Sequence, residues 1–241
     1  MKKKVLMTIL IMSLVTAGAF AQNKNIITVD LGPTIIGLTW NFMGNWVGGH
    51  LGMADTSSSG FGIAAQYERQ LHNRFSVAGR FSYLGMGAGL SLSEGGATAS
   101  LGIDIKRFAF EGHFRVYPAG RSFFIDAMAG YTLMIPSFSG HVIVNESGIY
   151  ASNSIDFSVR KSYFSYGGKL GWRIDFGRPG GFIMELSLGW NGSVGIGDSI
   201  GQKVSNEMGQ DAVGIDQGFR LLEKYIFAGG PRGTLAFGWR F

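Results

Sequence analysis

The groups able to do acid–base, nucleophilic or metal chemistry are few and scattered. There are four histidines, His50, His72, His113 and His141, and no cysteine. A membrane hydrolase or acyltransferase needs a histidine close to a serine and a carboxylate. His50 and His141 fall in Gly/Ser/Asn-rich segments with Ser57, Ser58, Ser59 and Ser139 in the neighbourhood, yet no spacing pairs a histidine with a serine. His72 lies in a tight turn. No His-x-x-x-His and no carboxylate-rich calcium spacing occurs. The stretch Gly85-Met86-Gly87-Ala88-Gly89 sits at a strand end leading into a loop. It lacks the following helix and the Lys-Ser/Thr of a phosphate loop. The expectation is a chain that is not an enzyme and carries no cofactor or metal.

The informative charges are those that alternate with apolar residues. Phe75, Val77, Gly79, Phe81 and Tyr83 stand against Ser76, Ala78, Arg80 and Ser82, and Phe61, Ile63, Ala65 and Tyr67 against Gln66 and Glu68. Phe108, Phe110 and Phe114 oppose Arg107, Glu111, His113 and Arg115, and Phe123, Ile125 and Tyr131 oppose Asp126. Phe164 to Phe176 alternates with Lys161, Lys169 and Arg173, and Met184 to Trp190 with Glu185. A period of two means strands with two chemically different faces. One parity is aromatic and aliphatic, and the other carries Glu68, Arg80, Glu111, His113, Arg115, Asp126, Lys169, Arg173 and Glu185.

Positioning these strands requires a sheet with an unusual inside. Charged residues are 15% of the chain against about 25% in soluble domains, aromatics are 13%, and glycine numbers 39. Residues 1–21 read as a cleavable signal peptide: Lys2, Lys3 and Lys4, then an apolar Val5–Val15, then Ala19-Phe20-Ala21. Residues 22–241 remain as one domain. Removing three lysines from 21 basic residues leaves 18 against 16 acidic ones, about +2, so the whole-chain charge of +5 does not indicate a nucleic-acid partner.

Turn signals alternate in length. Leu71–Arg74, Pro118–Arg121 and Gly177–Gly181 are tight, whereas Met43–Ser58, Gly87–Ser100, Pro136–Asp156 and Gly192–Gly230 read as long loops. This predicts an all-β, eight-stranded antiparallel up-and-down transmembrane barrel with short periplasmic turns and long extracellular loops. A hairpin in the last loop would raise the count to ten. The first strand is placed at about Ile26 to Trp40, with Pro33 breaking its alternation. Phe219, Leu222, Tyr225 and Ile226 suit either a short helix or an extended strand.

The aromatics near strand ends form two belts, as at two membrane–water interfaces. A soluble barrel with the aromatics inside is the competing arrangement. With charges of both signs at shared levels, the lumen reads either as a plugging polar network or as a narrow wet cavity. Apolar residues in the loops (Trp46, Leu51, Met53, Val142, Ile143, Val144, Ile149, Tyr150) suit self-packing, adhesion or lipid contact.

The terminal Gly233–Phe241, GTLAFGWRF, together with the strand and turn rhythm, resembles the small outer-membrane β-barrel family that includes OmpA-, OmpX- and OmpW-type proteins. The resemblance spans nearly the whole mature chain and is architectural. It implies that Leu235, Phe237, Trp239 and Phe241 form the C-terminal signal read by the barrel-assembly machinery. It also implies residence in the outer membrane of a diderm bacterium, with lipid as a partner. A structural or surface-interaction role follows, with an extracellular ligand reached through the loops left open. The charged lumen departs from the OmpW type, whose channel is apolar. Narrow-channel transport of small or apolar solutes is the alternative.

Overall fold

The computed structural model describes residues 25–50, 55–94, 97–120, 122–146, 149–177, 180–200, 202–203 and 229–241. The elements are β1 (Asn25–Asp30), α1 (Gly32–His50), β2 (Asp55–His72), β3 (Phe75–Glu94), β4 (Ala97–Val116), β5 (Phe123–Glu146), β6 (Ile149–Ser158), β7 (Lys161–Phe176), β8 (Phe182–Ile196) and β9 (Gly229–Arg240). Eight strands close a ring in the order β1-β2-β3-β4-β5-β7-β8-β9, each antiparallel to its neighbours. β6 stands outside the ring and pairs with the far end of β5. The ring closes where the chain begins and ends: Asn25 N donates to Phe241 O at 3.0 Å and Phe241 N to Asn25 O at 2.9 Å.

Ring closure removes the free edges that an open sheet would present, and the alternation then decides what faces where. Phe61, Phe110, Tyr131, Phe164, Trp172, Trp190 and Trp239 are exposed on the outside, while Glu68, Arg80, Glu111, Arg115, Asp126, Arg173 and Glu185 are buried inside. The barrel is therefore apolar outside and polar within. Soluble domains have the reverse.

The first strand is much shorter than the sequence pattern suggests. β1 ends at Asp30, and the segment to His50 is helical. Asp30 Oδ1 accepts from Gly32 N at 2.7 Å and Leu31 O from Ile35 N at 2.9 Å. Pro33 falls in the first turn, where its missing N–H costs nothing. Ile36, Leu38, Trp40 and Phe42 alternate with small and polar residues and so mimic a strand. In the helix, Ile36 and Trp40 are one turn apart, and Leu38 and Phe42 share a different face.

α1 lies on the inner face of β2. Cβ atoms added at Gly60 or Gly62 would collide with Gly37 and Pro33; the one at Gly62 would sit 2.6 Å from Pro33 Cβ. Their absence is what admits the helix. Thr34 Oγ1 donates to Gly62 O, and Trp40 Nε1 donates to Gly87 O of β3 at 3.0 Å. Among the described residues no helix is long and apolar enough to cross a membrane, which bears on helices alone.

Most of the segments read as long loops are strand. Gly87–Ser100 continues β3 into β4, so Gly85–Gly89 lies within a strand and not at its end. Pro136–Asp156 becomes the β5–β6 hairpin and carries Val142, Ile143, Val144, Ile149 and Tyr150. Met43–His50 belongs to α1, Trp46 with it, and β2 begins at Asp55. These turns were hidden because Gly, Ser and Thr on one strand face look like loop composition. Leu51, Met53 and Phe219–Ile226 lie outside the described residues.

Gly62→Val should therefore unseat α1 and destabilise the barrel by about 1–3 kcal/mol through overpacking. Gly79→Val, at a site with open space around it, should leave the urea midpoint unchanged. Equilibrium unfolding of the two variants in detergent checks this.

Candidate functional site

The lumen holds two linked clusters of charge, each built by strands that face one another across or along the ring. The lower cluster contains three carboxylates, Glu68, Asp126 and Glu185, and three cations, Arg115, Lys169 and Arg173. Arg115 on β4 reaches most of them. Its Nη1 donates to Glu68 Oε2 at 2.6 Å and to Glu185 Oε2 at 3.0 Å, its Nε to Asp126 Oδ2 at 2.8 Å, and its Nη2 to Gln66 Oε1 at 3.3 Å. Arg173 on β7 donates from Nη2 to Glu68 Oε2 at 2.5 Å and from Nε to Glu185 Oε1 at 2.7 Å. Lys169 Nζ lies 3.5 Å from Asp126 Oδ2.

Two aromatic rings complete this cluster from below. Tyr117 OH donates to Glu68 Oε1 at 2.6 Å. The Arg115 guanidinium lies 4.5 Å from the Phe124 ring centre and that of Arg173 lies 5.3 Å from Tyr117. Cations stacked in this way tolerate burial better than bare ones.

The upper cluster has two carboxylates, Asp30 and Glu111, and three guanidiniums, Arg80, Arg107 and Arg232. Arg80 bridges the acids: Nη1 donates to Glu111 Oε2 at 2.8 Å and Nη2 to Asp30 Oδ2 at 2.5 Å. Arg232 grips Glu111 with both terminal nitrogens at 2.8 Å. It also donates to Asn191 at 2.9 Å, with that amide turned so that its oxygen faces the guanidinium. His113 links the clusters, with Nδ1 2.9 Å from Asp126 and Nε2 3.5 Å from Glu111. A histidine held by an aspartate supplies two of the three members of a nucleophile-activating triad. Here the second nitrogen faces a carboxylate and not a hydroxyl.

All nine lumen residues singled out in the sequence lie in this network. Asp30, Tyr117 and Arg232 join it as well, and reading the sequence missed them. Asp30 was hidden by the mistaken extent of the first strand. Tyr117 sits beside the turn proline Pro118, and Arg232 follows Pro231, just past the Gly192–Gly230 segment that reads as a long loop. Parity alone would have placed Arg232 inward with Thr234 and Ala236.

Leu235, Phe237 and Trp239 form the outer face of β9, where Phe237 stacks on Phe182 with ring centres 6.0 Å apart. Phe241 joins through its backbone to Asn25.

Above the upper cluster lies a cavity of about 290 Å³, lined by α1 on one side and by β3, β4, β5 and β9 around it. Ile105 and Met134 on its wall also pack in an apolar cluster with Val159, Tyr163 and Ile200. Ile200 arrives on a turn closed by a reciprocal cap: Ser199 N donates to Gln202 Oε1 at 3.0 Å, and Gln202 N to Ser199 Oγ at 3.1 Å. No protein-family model and no curated protein matches the chain.

Arg80→Ala would leave Asp30 without its cation in a buried setting, which typically costs about 3–5 kcal/mol. The expected result is a much lower unfolding midpoint than for His141→Ala on the exposed face of β5. Equal midpoints would show that the upper cluster does not carry stability.

Proposed function

We propose that this protein is an integral outer-membrane β-barrel whose lumen is closed by ion pairs, with a structural or surface-interaction role and no enzymatic activity. The observation that carries the reading is the inverted polarity of the ring. A water-soluble protein would pay heavily to expose Phe61, Phe110, Trp172, Trp190 and Trp239, whereas lipid receives them. A transmembrane strand needs about 9–11 residues. β3 and β4 have 20 each and β5 has 24, so these strands continue well past one span.

The side-chain pattern supports a span that ends partway up these strands. On β4 the outward residues are Phe108, Phe110 and Phe114 in the lower part, then Lys106, Asp104, Ser100 and Thr98 higher up. The inward residues change in the opposite sense, from Arg115, His113 and Glu111 to Ile105, Ile103 and Leu101. β3 and β5 reverse at the same level, as their pairing with β4 requires. Beyond that level, β2 to β6 form a sheet that stands clear of the rest of the ring, polar outside and, on β3 to β6, largely apolar inside. In this reading it is the extracellular face offered to partners. The short turns face the periplasm, lipid surrounds the ring, and β9 supplies the assembly signal.

Narrow-channel transport is the second reading, favoured by the cavity above the plug. Conductance separates the two. The mature chain folded in detergent should migrate differently with and without boiling and give a strand-rich circular dichroism spectrum. Reconstituted in a planar bilayer, it should show no discrete current. Unitary openings would favour the channel, and a chain soluble without detergent would refute the membrane placement.

A further inference from the structure

From the lumen cavity we infer a binding site for a single-chain amphiphile with one carboxylate, held head-down by Arg107. The cavity floor has an odd charge. Arg80 and Arg232 are committed to Asp30 and Glu111. Arg107 also lines the cavity, and among the described residues it has no hydrogen-bond acceptor; its Nε is buried without a partner. Guanidinium does not lose its proton in a protein. Arg107 is half-buried, and a guanidinium drawn partly out of water with its buried Nε unpaired gains from meeting an anion in the cavity. Three guanidiniums against two carboxylates leave one positive charge, which matches a carboxylate better than a doubly charged phosphate monoester.

The rest of the wall asks for hydrocarbon. Ile36 and Trp40 of α1 face Leu84, Met86, Ile105 and Met134 across the cavity. Above them the inner face of the β2–β6 sheet continues with exposed Leu92, Leu101, Ile103, Val142 and Ile155. Apolar surface of this extent, uncovered among the described residues and above a guanidinium that none of them pairs, fits a chain whose head lies at Arg107 and whose tail runs up the sheet. The inference needs the barrel but not its membrane location, so the two can fail separately.

The test is calorimetric titration of the folded barrel, in nanodiscs of zwitterionic lipid, with decanoate and with 1-decanol, each corrected for empty discs. Decanoate should bind saturably at one site and at least tenfold more tightly than decanol, the range of a charge-assisted hydrogen bond. Arg107→Gln should abolish that preference, bringing decanoate down to the affinity of decanol for the same variant, and Arg107→Lys should retain part of it. Heat-modifiable migration of each variant shows that it has folded. Equal binding of decanoate and decanol by the native chain, or an unchanged preference in folded Arg107→Gln, would overturn the assignment.

Discussion

Charge placed inside a closed ring must be neutralised there, because the ring leaves little room for water to do it. The rest of the structure follows from that constraint. Arg115 reaches Glu68 and Glu185, and Arg173 reaches Glu68, across the lumen, so strands that share no backbone hydrogen bonds are tied by side chains. The ties work only in one register. A slip by one residue would turn Glu111 and Arg115 to the outside and bring Phe110 and Phe114 in.

Asp30 shows how local structure and network are joined. One carboxylate oxygen closes the turn that starts α1 and the other takes Arg80. The end of β1, the start of the helix and the upper ion cluster therefore depend on a single side chain. α1 then occupies the inner face of β2, where Gly60 and Gly62 leave room, and becomes one wall of the cavity. Plug and cavity thus lie one above the other, and the wall changes from charged to apolar at the level of Arg107.

Much of the ring was legible in the sequence because a two-residue period is direct evidence of a two-faced strand. Phe108 to Arg115 and Lys169 to Phe176 announced both their geometry and their inward charges. Two features were hidden. The helix from Gly32 to His50 was disguised because Ile36, Leu38, Trp40 and Phe42 alternate as they would in a strand, and its apolar residues serve two different surroundings. The strand extensions were hidden because Gly, Ser and Thr on their outer side look like loop. The reversal of faces near Leu84 and Arg107 was present in the letters, but recognising it required the strands to be followed beyond the aromatic belt. The partners of each charge could not be read at all, since Glu68 and Arg173 are separated by 105 residues.

The central claim is that ion pairs across the lumen hold the ring in one register. A double-mutant cycle on Glu68→Gln and Arg173→Gln addresses it most directly, because β2 and β7 are not neighbours in the sheet and any coupling between them passes through the lumen. Unfolding free energies of the native chain, both single variants and the double variant should give a coupling of about 0.5–3 kcal/mol. Additivity within about 0.3–0.5 kcal/mol would contradict the account, leaving the backbone ladder to hold the barrel unaided.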